Sequence, residues 1–157
     1  MSVSPHDSQA QRGAETEILK ALSGQLGVVL ETGSWDIGGA LVSLDGVDEQ
    51  RTHCVEIYAC IGTLKGAQLK KVATDVLKLL LVKESVPIGG LSPLCVLVFA
   101  SEAAEGSVRG WVREAIRTHD IQVRVIEPSC ETQIRVREAQ AAQVMVGIAQ
   151  VTDGDWS

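Results

Sequence analysis

Apolar residues recur at helical spacing through Ile18, Leu19, Leu22 and Leu26 in AETEILKALSGQL, and Gly24 and Gly27 mark the end of that helix. Three short strand-like runs follow: VVLET, closed by Gly33; IGGALVSLD; and THCVEIYACI. The Asp45-Gly46 pair and the acids after it suit a hairpin turn between the second and third runs, so an antiparallel meander is expected. The period then changes. Leu69, Val72, Ala73, Val76, Leu77 and Leu80 predict a long helix over 66–84, ended by a loop through Pro87, Gly89 and Gly90. PLCVLVFA is a continuous apolar run, the pattern of a central strand covered on both faces. EGSVRGWVREAIRTH predicts a helix that buries Val108, Trp111, Val112, Ala115 and Ile116, and the alternating IQVRVIE a strand nearer the edge. ETQIRVREAQAAQVMVGIA reads as the last helix.

The expected order is therefore α-β-β-β-α-β-α-β-α, an α/β fold with a mixed central sheet flanked by helices. Its third, fourth and fifth strands are joined by right-handed parallel crossovers. A chain of 157 residues holds one good core. The boundaries read as a disordered tail over 1–13, a single domain over 14–148 and a flexible tail over 149–157.

Composition changes this picture in two respects. Aromatic residues are scarce, so the core must be built from Val, Leu, Ile and Ala. The net charge of -6 argues against a strongly electrostatic nucleic-acid binder. It leaves room for an acidic site that holds a divalent cation against a phosphate. Lys65, Lys70, Lys71, Lys78 and Lys83 cluster within one segment, which reads first as a solvated helix face. Cys54, Cys60, Cys95 and Cys130 lack metal-ligand spacing and read as free thiols of a reducing cytosol. MSVSPHDSQAQRG has no apolar signal core and no run is long enough to span a bilayer, so a cytoplasmic protein with no membrane partner is expected.

One residue breaks the apolar pattern. Glu56 sits in the middle of the third strand, on the face of Cys54, Tyr58 and Cys60 and opposite Val55, Ile57 and Ala59. A covered acid needs a partner. If the second and third strands pair as a hairpin, Asp45 comes to lie on the same side as Glu56. Two carboxylates so placed repel unless a cation or a proton joins them, and hard oxygen donors suit magnesium or manganese. Asp45 reads equally well as a turn former before Gly46.

With an acid ending the second strand, Glu56-Ile57-Tyr58 in the third, and Gln68 and lysines opening the next helix, residues 15–127 resemble the PD-(D/E)XK nuclease superfamily, the restriction-endonuclease-like fold. The run VEIYACIGTLKGAQLKKVATDVLKL is similar to segments of an uncharacterised bacterial family within it. The resemblance implies a metal-dependent DNA endonuclease using Mg²⁺ or Mn²⁺, with Asp45 and Glu56 as metal ligands. Glu17, or Glu15 beside it, would be the first-helix acid, and Gln68 the helix glutamine. The family's usual lysine position holds Tyr58, so Lys71 or Lys70 would have to serve, with Lys65 a weaker substitute. Without such a lysine the site would bind and not cut. The alternative is a non-enzymatic module whose Tyr58 face and lysine-rich helix dock a protein or a second copy. A third reading has GTLKG, between strand and helix, cradling a phosphate of a nucleotide.

Overall fold

The computed structural model describes residues 5–86 and 89–152. Helix α1 (Pro5–Leu26) leads into strands β1 (Glu31–Ile37), β2 (Ala40–Val47) and β3 (His53–Tyr58). Helix α2 (Ala67–Glu84) and strand β4 (Leu94–Phe99) follow, then α3 (Glu102–Ser107), α4 (Gly110–Thr118), β5 (Gln122–Val125) and α5 (Cys130–Thr152). The five strands form one mixed sheet in the order β1-β2-β3-β4-β5. The β1–β2 and β2–β3 pairs are antiparallel, the β3–β4 and β4–β5 pairs parallel.

Period-2 alternation divides the sheet's side chains between two cores. On one face Cys54, Tyr58, Leu97 and Phe99 pack with Val72, Val76, Leu79 and Val82 of α2 and Ile116 of α4. On the other, Val55, Ile57, Val96 and Val98 pack with Ala14, Ile18 and Leu22 of α1 and Val136 of α5. The layers are thus helix, sheet, helix, as a β4 buried along its length requires.

Several boundaries differ from expectation. Residues 5–13, expected as a tail, are the first turns of α1, and α5 runs on to Thr152; residues 1–4 and 153–157 lie outside the described residues. Pro87, expected in the loop after α2, also lies outside them. β1 passes through Gly33, and its hairpin with β2 turns at Gly38-Gly39, at φ of 59° and 84° between the paired Ile37 and Ala40. That is the two-residue turn whose positive φ values favour glycine. The helix expected over 105–119 is two helices. Val108 and Arg109 are extended, and Gly110 restarts the helix at φ 65°. Arg113 bridges the break, donating to Val108 O at 2.9 Å and Glu105 O at 2.7 Å. The restart turns Trp111 outward, 75% exposed, where the continuous helix would have buried it.

Asp45-Gly46 is not the turn. Glu31 pairs with Val47 but Gly33 with Leu44, so β2 carries one residue more than β1 between those pairs, a bulge at Asp45-Gly46. The turn to β3 comes later and is organised by Asp48, whose carboxylate accepts from Thr52 N at 2.8 Å and His53 N at 2.7 Å. Gly46 is needed for closeness: a Cβ there would stand 2.6 Å from Leu19 Cδ1 of α1 and 3.2 Å from Val55 Cβ.

Candidate functional site

The β2–β3 ladder consists of Gly46↔Val55 and Val47↔Cys54. One step on, Asp45 would oppose Glu56, and the two side chains would share a side. The bulge re-aims Asp45 instead. Its Oδ2 accepts the Ile57 N–H at 2.8 Å, standing in for a backbone acceptor. The carboxylate opens into a cleft of about 550 Å³ lined by Arg12, Glu15 and Thr16 of α1 with Glu31, Thr32 and Ile57. Glu15 is the first-helix acid that meets Asp45. Burial, and then the charge of Asp45, raises its pKa above the ordinary glutamate value.

Glu56 turns the other way, toward α2, and is 1% exposed. Lys78 meets it there. The Lys78 Nζ lies 2.6 Å from Glu56 Oε1, 3.4 Å from Asp75 Oδ1 and 2.9 Å from Ser43 O. No aligned hydrogen-bond donor reaches Glu56 Oε1 among the described residues, so the ion pair alone compensates that oxygen. Asp75 continues the network. Its Oδ2 accepts from Tyr58 Oη at 2.9 Å and from Lys71 Nζ at 2.8 Å. Lys71 also stands 4.9 Å from the centre of the Tyr58 ring, which stacks on Phe99. Burial, with Asp75 next, pushes the Tyr58 hydroxyl far above its usual pKa, which keeps it a proton donor.

The other expected residues are engaged elsewhere. Glu17 faces α5: its carboxylate accepts from Ser129 N and from Thr132 Oγ1, the latter at 2.7 Å. Those bonds, Thr132 first, lower its pKa. Glu17 thus closes the first turn of α5, so Glu17→Ala is expected to cost about 1 kcal/mol, the usual loss of a helix cap. Thermal unfolding checks this, with β-sheet content unchanged. Gln68 Oε1 accepts from Lys65 N at 3.2 Å, and its Nε2 lies 3.1 Å from Cys60 Sγ, so it closes the first turn of α2. Lys70 and Lys65 are exposed. In the GTLKG loop the Gly62 N–H donates to Ser101 Oγ and the Leu64 N–H to Ser107 Oγ, which removes two donors that a phosphate would need.

Lys78 appears in the sequence as one lysine of a charged run, and Asp75 escapes notice. The available signal was spacing: Asp75 falls on the buried stripe of α2 with Val72, Val76, Leu79 and Val82. It is a charge on an apolar face, as Glu56 is in β3.

Among the described residues no group of three His, Cys, Asp or Glu side chains is placed to hold a metal ion. The residues as placed do not fit a divalent cation. Where an ion would meet Glu56 Oε1 stands the Lys78 ammonium, and Asp45 lies across the sheet from it. The carboxylates still feel one another. Asp45 adds to the upward shift of Glu56, whose pKa burial first pushes up to about 8 while Lys78 pulls it down.

Comparison of the chain with protein-family models, with curated proteins and with solved structures returns no match. No helix among the described residues is long and apolar enough to cross a membrane.

Proposed function

We propose that this chain is a restriction-endonuclease-like domain that works as a non-enzymatic interaction module, its acidic site closed by a lysine of its own. The element order and the mixed five-stranded sheet support the fold assignment. The observation that carries the functional reading is Lys78. Its ammonium lies against Glu56 and Asp75 and donates to a β2 carbonyl at once, and so supplies internally the charge that a metal would bring. A net charge of -6 fits a protein surface better than a DNA backbone as partner.

The nuclease reading has its own support. Glu15 and Asp45 share an open cleft, and Lys71, with its side chain 57% exposed, is close enough to oppose the rise of the Glu15 pKa. In that reading Lys71, not the saturated Lys78, takes the role of the missing strand lysine, and Mg²⁺ or Mn²⁺ would have to recruit Glu56 away from Lys78. The two readings separate in one assay. Wild-type protein with Mg²⁺ or Mn²⁺ is expected to leave labelled DNA intact and to show no cation-dependent rise in Tm. Cleavage by the wild type that disappears in Asp45→Ala and Glu56→Ala would overturn the non-enzymatic reading.

A further inference from the structure

We propose that Cys54 and Cys95 are a redox couple, joined by peroxide into a disulfide that ties β3 to β4 beneath α2 and reopened by thiol reductants. The inference goes beyond the interaction-module reading and stands without it.

The two residues are direct partners in the parallel β3–β4 ladder. Both side chains enter the core under α2, and their sulfurs lie 3.0 Å apart. Neighbouring strands run about 4.8 Å apart, within the roughly 4.4–6.8 Å between Cα atoms that a disulfide accepts. Side-chain rotation can therefore join the pair without moving the backbone. Among the described residues no other two cysteine sulfurs are in contact: Cys60 Sγ accepts from Gln68 Nε2, and Cys130 is exposed at the start of α5. Two buried cysteines can be nothing more than small apolar residues. Here the contact is polarised. The hydrogen bond from Cys54 lowers the Cys95 pKa, burial opposes it, and the charge of Lys83 adds to the lowering. The same hydrogen bond, together with burial, raises the Cys54 pKa. Cys95 is thus the nucleophile and Cys54 the thiol that resolves it.

Access selects the oxidant. Both thiols are fully buried, which shuts out a bulky disulfide. Each is the second residue of its strand, and the residues before them, His53 and Leu94, are only partly buried. Hydrogen peroxide, little larger than water, has that short way in. The Cys95 thiolate attacks one peroxide oxygen and the O–O bond breaks, leaving a sulfenic acid and a hydroxide that takes up the thiol's proton as water. The Cys54 sulfur then attacks the Cys95 sulfur, the S–O bond breaks, and the hydroxyl leaves as water with the Cys54 proton. Two thiols lose two electrons and two protons, and one peroxide becomes two waters. The bond links positions 41 apart, closing a loop that holds all of α2 with Lys71, Asp75 and Lys78. Such a closure acts chiefly by restricting the unfolded chain, so the oxidised form is the more stable. Redox state thereby sets how readily the crossover that carries Lys78 unfolds.

The full chain carrying Cys130→Ser tests this, since it keeps three cysteines and removes the exposed one that could join two chains. After hydrogen peroxide, free thiols are expected to fall from three to one per chain, with the Cys54 and Cys95 peptides linked. Tm should rise by roughly 10 °C, the scale for closing a loop of this length in a chain of this size. Dithiothreitol should reverse both changes. With Cys54→Ala added, peroxide should stop at a Cys95 sulfenic acid that dimedone traps. If that variant does not fold, the linked peptides and the Tm of Cys130→Ser decide. Peroxide that leaves three thiols in the folded protein overturns the proposal, as does Cys95 oxidised to sulfinic acid with no bond to Cys54. A link that forms only in urea also overturns it, as does a linked protein that melts no higher than the reduced one.

Discussion

Replacing Lys78 by Met is expected to lower the stability of the fold by about 3–5 kcal/mol at alkaline pH, the range for removing one partner of a buried ion pair. Met matches the length of the lysine stem and keeps its apolar packing, so the loss isolates the ammonium. The oxygens left behind are Glu56 Oε1, Asp75 Oδ1 and Ser43 O, brought from β3, α2 and β2. They are hard donors of the kind calcium takes. Added Ca²⁺ should therefore raise the Tm of Lys78→Met while leaving wild type unmoved. In the double variant Glu56→Gln/Lys78→Met, most of the loss and all of the rescue should vanish, since no buried charge remains on Glu56. Urea denaturation with and without Ca²⁺ reads both effects. A Lys78→Met protein as stable as wild type, in either buffer, would sink the closed-site reading.

The second large effect is a pH dependence centred on Glu56. Burial is the main cause of its raised pKa, Asp45 and Asp75 add to it, and Lys78 opposes them. Its ordinary value is 4.5 and its folded value about 8. Between those values the folded chain holds a proton that the unfolded chain releases. The contribution to stability is thus fully present below 4.5 and is lost as pH rises through about 8. Glu56→Gln keeps a neutral, hydrogen-bonding group and is insensitive to pH. Relative to it, wild type is expected to weaken by a few kcal/mol on passing from mildly acidic to mildly alkaline buffer. Glu15 shifts in the same direction, but it is present in both proteins and cancels from the comparison. Urea midpoints measured across that range should diverge; parallel curves would mean that Glu56 is ionised throughout.

Much of the architecture was legible because it follows from periodicity. The continuous apolar run of β4 and the stripe of α2 each specify an element and a buried face without tertiary information; the alternation of β5 specifies the strand but not its buried face, since Val125 is 38% exposed and Ile126 is buried. The order of strands followed from short connections early in the chain and helical crossovers later. What was not legible depends on single residues whose meaning is set by neighbours distant in sequence. Asp45-Gly46 carries a strong turn signal, but close approach of Leu19 and the pairing of Glu31 with Val47 make it a bulge. Two strand-forming stretches flank Gly38-Gly39, a hairpin signal as strong, and there the local preference prevailed. Glu56 was recognisable as a charge that needed a partner. The partner was expected to be a metal joined by Asp45, because strand alternation alone puts both acids on one side. Choosing Lys78 instead requires the register of α2 against β3, which no local pattern encodes.

The extra residue in β2 also shifts the phase of the whole strand. Val42 and Leu44 reach the α2 core in step with one another, and Val47 packs against that core too, although an odd number of positions separates it from them. The two ends of β2 are thus threaded in different reading frames, spliced at Asp45-Gly46. Excising one residue there would merge the frames: Val47 would swing out of the core it shares with Ile37, and the aspartate would lose its seat over the Ile57 amide.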